Sequence, residues 1–334
     1  MLTIRDVARE AGVSVATVSR VLNGLAGYSD KTKRKVLQTI EELGYHPNAV
    51  ARSLTNKRTR TIGVLFPMLS SEFAAGLLQG IESYAHACGY SVLVCNTDED
   101  GKRTLDYLQT LREKQADGIL FVSEALTEPY LAALRRMDVP VVLINSETAD
   151  PRFPHVKVDD AQAAYDAASY LIAQGHRDIA MIAGTEKDPV AGAPRVQGCR
   201  QALLDHGLPW VPERVVYGDF FYESGAVAMR RLLERGLPFT AVFAASDEMA
   251  AGAMHHALAA GIRVPEELSV IGYDDIRLAR MVHPPLTTVH QPLAELGRTA
   301  VEKLIAMAET GQPGESVRIA HRIVERQSVR SLST

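Results

Sequence analysis

Cysteine is scarce: the chain of 334 residues has three, Cys88, Cys95 and Cys199. They form no CxxC pair and have no His at metal-ligand spacing, so neither a disulfide framework nor a zinc site organises the fold, and the thiols read as reduced and cytosolic. No apolar run approaches the roughly 18 residues of a membrane span, and the opening MLTIRDVARE lacks the apolar core of a signal peptide; the expected compartment is the cytoplasm. No GxGxxG follows a strand, and neither a P-loop nor an HExxH occurs. Gly12-Val13-Ser14-Val15-Ala16 imitates a nucleophile elbow, but it lies within two helices and has no strand before it. The sequence therefore marks no enzyme, no metal site and no cofactor.

A surplus of one charge is also missing, with a formal net charge of -4. That average conceals a split. Residues 1–60 carry eleven Lys and Arg against five Asp and Glu, a surplus of six positive charges, so the other 274 residues hold a surplus of ten negative ones. A basic head on an acidic body is expected of a polyanion-binding module joined to a module with another task. With 46% hydrophobic and 23% charged residues, the chain is an ordinary globular one of two to three domains.

Thr3 followed by Asp6 forms a capping-box variant, and Gly12 ends the helix that it opens. Ser14 then caps a second helix from about Val15 to Leu22, which makes a helix-turn-helix. Val15, Ala16, Ser19, Arg20 and Asn23 share one face of it, while Val18, Val21 and Leu22 share the other. The first face is small and polar with one long cation, and it fits a major groove: Val15 and Ala16 against a thymine methyl, Ser19 on a base edge or phosphate, Arg20 bidentate on guanine. The competing reading is an ordinary amphipathic helix with a solvated face. A third helix starts at Ser29-Asp30, buries Val36, Leu37, Ile40 and Leu43, and stops at Gly44. Lys31, Lys33, Arg34 and Lys35 crowd its start against the helix dipole, which points to a phosphate nearby. After Pro47, Asn48 can cap a helix too short to fold alone, and residues 55–61 read as a polar, basic linker.

From Ile62 onward, short apolar runs alternate with helical stretches. Strands are expected at 62–66, 92–95, 118–122 and 139–144, then at 179–183, 241–244 and 268–271. Helices fill 73–87, 102–114 and 129–137, then 162–173, 196–206, 223–235 and 248–260. Such alternation specifies two doubly wound parallel-sheet lobes of the α/β class, with a ligand cleft between the strand ends.

The runs TIRDVAREAGVSVATVSRVLNG, SDKTKRKV and ELGYHPNAVARSL resemble the DNA-binding headpiece and hinge of the lactose-repressor (LacI/GalR) family of bacterial transcription regulators. IGVLFP, QGHRDIAMIAG, GDFFYESG, LPFTAVFAASDEMAAGA, VPEELSVIGYDD and PPLTTVHQP extend the resemblance to about residue 330, over a core similar to periplasmic sugar-binding proteins. It implies a headpiece over 1–47, a hinge helix and linker over 48–61, and an effector-binding core over 62–330. The chain would cross between lobes three times, so that 62–159 with 291–320 form one lobe and 160–290 with 321–330 the other. It implies a homodimeric repressor on a palindromic operator. DNA contacts fall on Thr3, Ser14, Val15, Ala16, Thr17, Ser19, Arg20 and Asn23 in the head, and on Asn48, Ala51 and Leu54 in the hinge, where Leu54 wedges into the minor groove.

By position, the resemblance gives effector contacts at Phe73, Arg195, Phe220, Ser246, Asp247 and Asp274. A carboxylate acceptor, a fork of donors and an aromatic face suit a sugar, a sugar phosphate or a nucleobase. Asp247 reads equally as a helix cap, and Asp159-Asp160 read as caps. Within the family the sequence looks most like the catabolite-control regulators, which bind a phosphorylated carrier protein through the helix after Gln291-Pro292. This chain has Glu302 where those proteins place an arginine, and a phosphoserine needs cations, so carrier binding is the alternative.

Overall fold

A computed structural model describes residues 2–22, 24–45, 58–98 and 101–332. The chain divides into two compact units, 1–59 and 60–334.

The first unit holds α1 (Ile4–Ala11), α2 (Val15–Leu22) and α3 (Asp30–Leu43). The Thr3 backbone N–H and hydroxyl both donate to Asp6 Oδ2, at 3.0 and 2.7 Å. These bonds hold the Asp6 carboxyl below its usual pKa. Ser14 Oγ accepts from Thr17 N at 3.1 Å and Ser29 Oγ from Thr32 N at 3.2 Å, so α2 and α3 start on hydroxyl caps. Val7, Ala11, Val18 and Val36 form a dry centre. Leu37 is 44% exposed instead of buried, and Thr39 takes its place. The stripe runs 36, 39–40, 43, and residue 37 lies about 100° round the helix from 36.

The second unit contains two six-stranded sheets. In chain order its elements begin with β1 (Thr61–Phe66), α4 (Glu72–Ala87), β2 (Ser91–Asn96), α5 (Thr104–Glu113), β3 (Gly118–Val122), α6 (Glu128–Arg135), β4 (Val141–Ile144) and β5 (His155–Lys157). There follow α7 (Asp160–Ala173), β6 (Ile179–Ala183), α8 (Gly192–Asp205), β7 (Val215–Tyr217), α9 (Tyr222–Glu234), β8 (Ala241–Ala244), α10 (Asp247–Ala259), β9 (Ser269–Asp274), α11 (Leu278–Met281), β10 (Thr287–His290), α12 (Leu293–Thr310), β11 (Val317–Arg318) and β12 (Arg322–Val324).

The first sheet runs β11-β5-β4-β3-β1-β2 and the second β12-β10-β9-β8-β6-β7. Every pairing is parallel except β12 on β10. Strands β3, β4, β6 and β8 are buried at every residue, as helices on both sheet faces require.

The chain passes between lobes three times: between β5 and α7, between β10 and α12, and between β11 and β12. Helix α12 thereby packs on α4 and against β3, β4 and β5 of the first lobe. Glycines seat it: a Cβ on Gly80 would stand 2.0 Å from Ala294 O, and one on Gly297 would stand 2.4 Å from Leu77 O. Five of the strands, β5, β7, β10, β11 and β12, have two to four residues and were not expected; the period-two signal needs more residues than that.

Candidate effector cavity and DNA-binding face

In the head, Ser14, Val15, Ala16 and Arg20 are exposed on one side of α2, and Thr17 and Ser19 are half-exposed. Val15 is 41% exposed, an apolar side chain offered to solvent beside a cation. Thr3 is exposed, but its hydroxyl is engaged by Asp6. Lys31, Lys33, Arg34 and Lys35 are exposed on the first turns of α3. Asn23, Asn48, Ala51 and Leu54 lie outside the described residues.

In the core, the carboxyl ends of the strands of both lobes meet round a cavity of about 530 Å³. Open α/β sheets place ligands there. Phe73, Arg195, Phe220, Ser246 and Asp274 line it together, although they come from positions more than 200 apart in sequence.

Arg195 is 5% exposed. Its Nε and Nη2 donate to Asp160 Oδ1 at 3.0 and 2.9 Å, and its Nη1 to Ala245 O at 2.6 Å. The guanidinium lies 3.6 Å from the centre of the Tyr273 ring and 5.7 Å from that of Phe220. Asp159 alone caps, its Oδ1 accepting from Gln162 N at 3.1 Å; Asp160, read as a second cap, instead neutralises Arg195 and accepts from Tyr273 Oη at 3.2 Å.

Asp274 Oδ1 accepts from Gln291 Nε2 at 2.7 Å; among the described residues Oδ2 has no hydrogen bond. Burial pushes its carboxyl up to about 7 against the pull of Arg195 and Gln291, and Asp160 and Glu248 add to the rise. The backbone is strained here, with φ +121 at Asp274 and +59 at Asp275, on the order of 1–3 kcal/mol at each residue. Asp275 is held by His290 Nδ1 at 2.8 Å and by Arg326, which keep its carboxyl below the usual range despite burial.

Asp247 does not line the cavity. Ser246 Oγ caps α10 by accepting from Met249 N at 3.1 Å, which leaves Asp247 pointing into the protein, fully buried. There it accepts from Thr288 Oγ1 at 2.5 Å and Ile276 N at 2.9 Å. Burial and the neighbouring Asp274 raise its pKa.

Three further groups line the cavity that were not among the expected contacts. Glu124, after β3, accepts from Thr104 Oγ1 at 2.9 Å and Thr97 Oγ1 at 3.2 Å; burial raises its pKa against those bonds. Asp188 accepts from the amides of Val190, Ala191 and Gly192, at 2.9 to 3.1 Å, and so starts α8 beside the cavity. Lys187 lies next to it. The signal for Glu124 was its place just beyond an apolar strand; for Asp188 it was the three residues that follow before the helix.

A basic head with an exposed helix-turn-helix face, joined in one chain to a two-lobed core with a ligand-sized cavity, defines a ligand-responsive DNA-binding regulator. The family model for bacterial regulatory proteins of the lacI family matches residues 3–48, and that for a periplasmic binding protein-like domain matches residues 168–329. Catabolite control protein A of Priestia megaterium is 43% identical over 98% of this chain and 99% of its own length. The HTH-type transcriptional repressor PurR of Vibrio atlanticus is 38% identical over the full length of both. The lac repressor dimer bound to operator and the anti-inducer ONPF superposes with TM-score 0.89 at 29% identity, covering 98% of this chain and 99% of that one. The CelR–cellobiose complex does so with 0.75 at 34%, covering 98% and 100%. The chain belongs to the lacI family of transcriptional regulators and is not an enzyme. No helix among the described residues is long and apolar enough to cross a membrane.

Proposed function

We propose that this regulator is a cytoplasmic repressor that binds a palindromic operator as a homodimer, and that its effector is a sugar or sugar-like polyol without a phosphate. The charge of the cavity wall carries the choice of effector. Glu124, Asp160, Asp188, Asp219, Glu248 and Asp274 line it against two cations, Lys187 and Arg195, and Arg195 is already paired with Asp160. A phosphorylated ligand would bring about two more negative charges into that field. A neutral polyol can donate hydroxyls to Asp274 Oδ2 and lay an apolar ring face on Phe220 or Phe73. The cellobiose held by a structural neighbour agrees with this class. For the dimer, Leu258 and Met281 on the second lobe, 66% and 65% exposed, supply apolar surface, and the lac repressor neighbour is a dimer on operator.

The co-regulator reading remains second. It draws on the 43% identity with catabolite control protein A, but Glu302 on α12 opposes a phosphoserine.

Thermal-shift measurements with cellobiose, ribose, ribose 5-phosphate and adenine test the effector class, because a ligand of the folded state raises its melting temperature. A rise with a free sugar supports the reading. A rise with the phosphate or adenine alone overturns it.

A further inference from the structure

A short strip of chain runs from the floor of the cavity to the first lobe. It begins at Asp274, passes the second strained residue Asp275, and reaches Ile276, which also lines the cavity. Ile276 N donates to the buried Asp247. Two residues on, at the start of α11, Leu278 N donates to Glu72 Oε2 at 3.1 Å, and Arg277 Nε lies 3.9 Å from Glu72 Oε1. Glu72 is the first residue of α4, so this is a contact from one lobe to the other. Ser71 and Phe73, on either side of Glu72, line the cavity. One residue therefore takes a backbone bond from the second lobe, at the edge of the effector site and at the end of a strained turn.

We propose that Glu72 is a positioning residue, an interlobe clasp that ties the first lobe to the Asp274–Asp275 turn. The inference rests on the reading of the cavity as the effector site. The turn is held in its strained form by His290, Arg326 and Asp247 from the second lobe and by Gln291 where the chain crosses to the first. An effector that takes hold of Asp274 changes the balance of forces on that turn. Residues 276–278 have no glycine to absorb the change, so Leu278 N shifts relative to Glu72, and α4 moves with it. A direct backbone-to-carboxylate bond transmits such a shift where a long, exposed ion pair, such as that of the 80% exposed Arg277, would not.

The test needs no effector, so its failure is separate from failure of the sugar reading. Hydrogen exchange of the full chain reads the Leu278 amide. Pulsed electron spin resonance between labels at Glu82→Cys and Arg231→Cys in a Cys88→Ser background, diluted with unlabelled protein, reads the lobe-to-lobe distance. Glu72→Ala is expected to speed Leu278 exchange about tenfold and to broaden the distance distribution. Glu72→Gln, which keeps an acceptor oxygen, restores both. Faster exchange with an unchanged distance would show a local helix cap and overturn the clasp, as would unchanged exchange.

Discussion

Both lobes are built on a six-stranded sheet, wholly parallel in the first and parallel except for β12 in the second, yet they are assembled differently. In the second lobe, helices adjacent in sequence pack together, α7 on α8 and α9 on α10. Its polar groups form buried networks: Arg195 with Asp160, Asp247 with Thr288, Asp275 with His290 and Arg326. The first lobe draws α12 from beyond residue 290 to cover α4, and the ion pair of Arg135 with Glu128 lies at its surface. Buried networks fix one geometry because every broken bond strands a charge, whereas packed apolar faces and surface pairs can slide at small cost.

The largest expected effect tests the buried network. Arg195→Met leaves the Asp160 carboxylate, 4% exposed, without its cation and should cost about 3–5 kcal/mol. The equivalent Arg135→Met should cost under about 1 kcal/mol. Urea unfolding of both variants decides the matter, and equal costs would erase the contrast between lobes. Next in size, Gly80→Ala forces α12 away from α4 and should cost about 1–3 kcal/mol, read by calorimetry as an earlier melt. An unchanged melting temperature would mean that the helix from the chain's end is not seated as tightly as its glycine implies.

The third effect depends on pH. The folded-state pKa of Asp274, about 7, lies above that of the unfolded chain, so the native protein holds the proton more tightly. Its contribution to stability is greatest below about pH 4 and is lost as pH rises toward 7, at up to about 1.4 kcal/mol per unit. Asp274→Asn removes this slope. The stability difference between wild type and variant, measured from pH 5 to 8, should grow in the variant's favour up to about pH 7 and then level off. A flat difference would sink the assignment.

The helical period and its caps made the head legible: Thr3-Asp6, Ser14 and Ser29 each act locally, within four residues. The same holds for the long strands, whose apolar runs are self-evident. The cavity was legible through resemblance and only in part. Arg195 is paired with Asp160, 35 residues away, by the fold rather than by any local rule. Asp247 reads the same in sequence whether it caps, binds or is buried; the hydroxyl of Ser246, one residue earlier, takes the cap and turns the carboxylate inward. Glu124 becomes a wall of the site only because β3 ends beside β1 in the sheet.

The late arrival of α12 also bears on synthesis. A chain growing from its amino end completes the DNA-binding head within its first sixty residues. The first lobe must wait for α12 and β11, up to residue 318, and the second for β12, up to residue 324. For most of its time on the ribosome the protein is a head without a sensor. Regulation is the last property the molecule acquires, and a chain that stops short of residue 293 would carry the head beside a first lobe that cannot close its core.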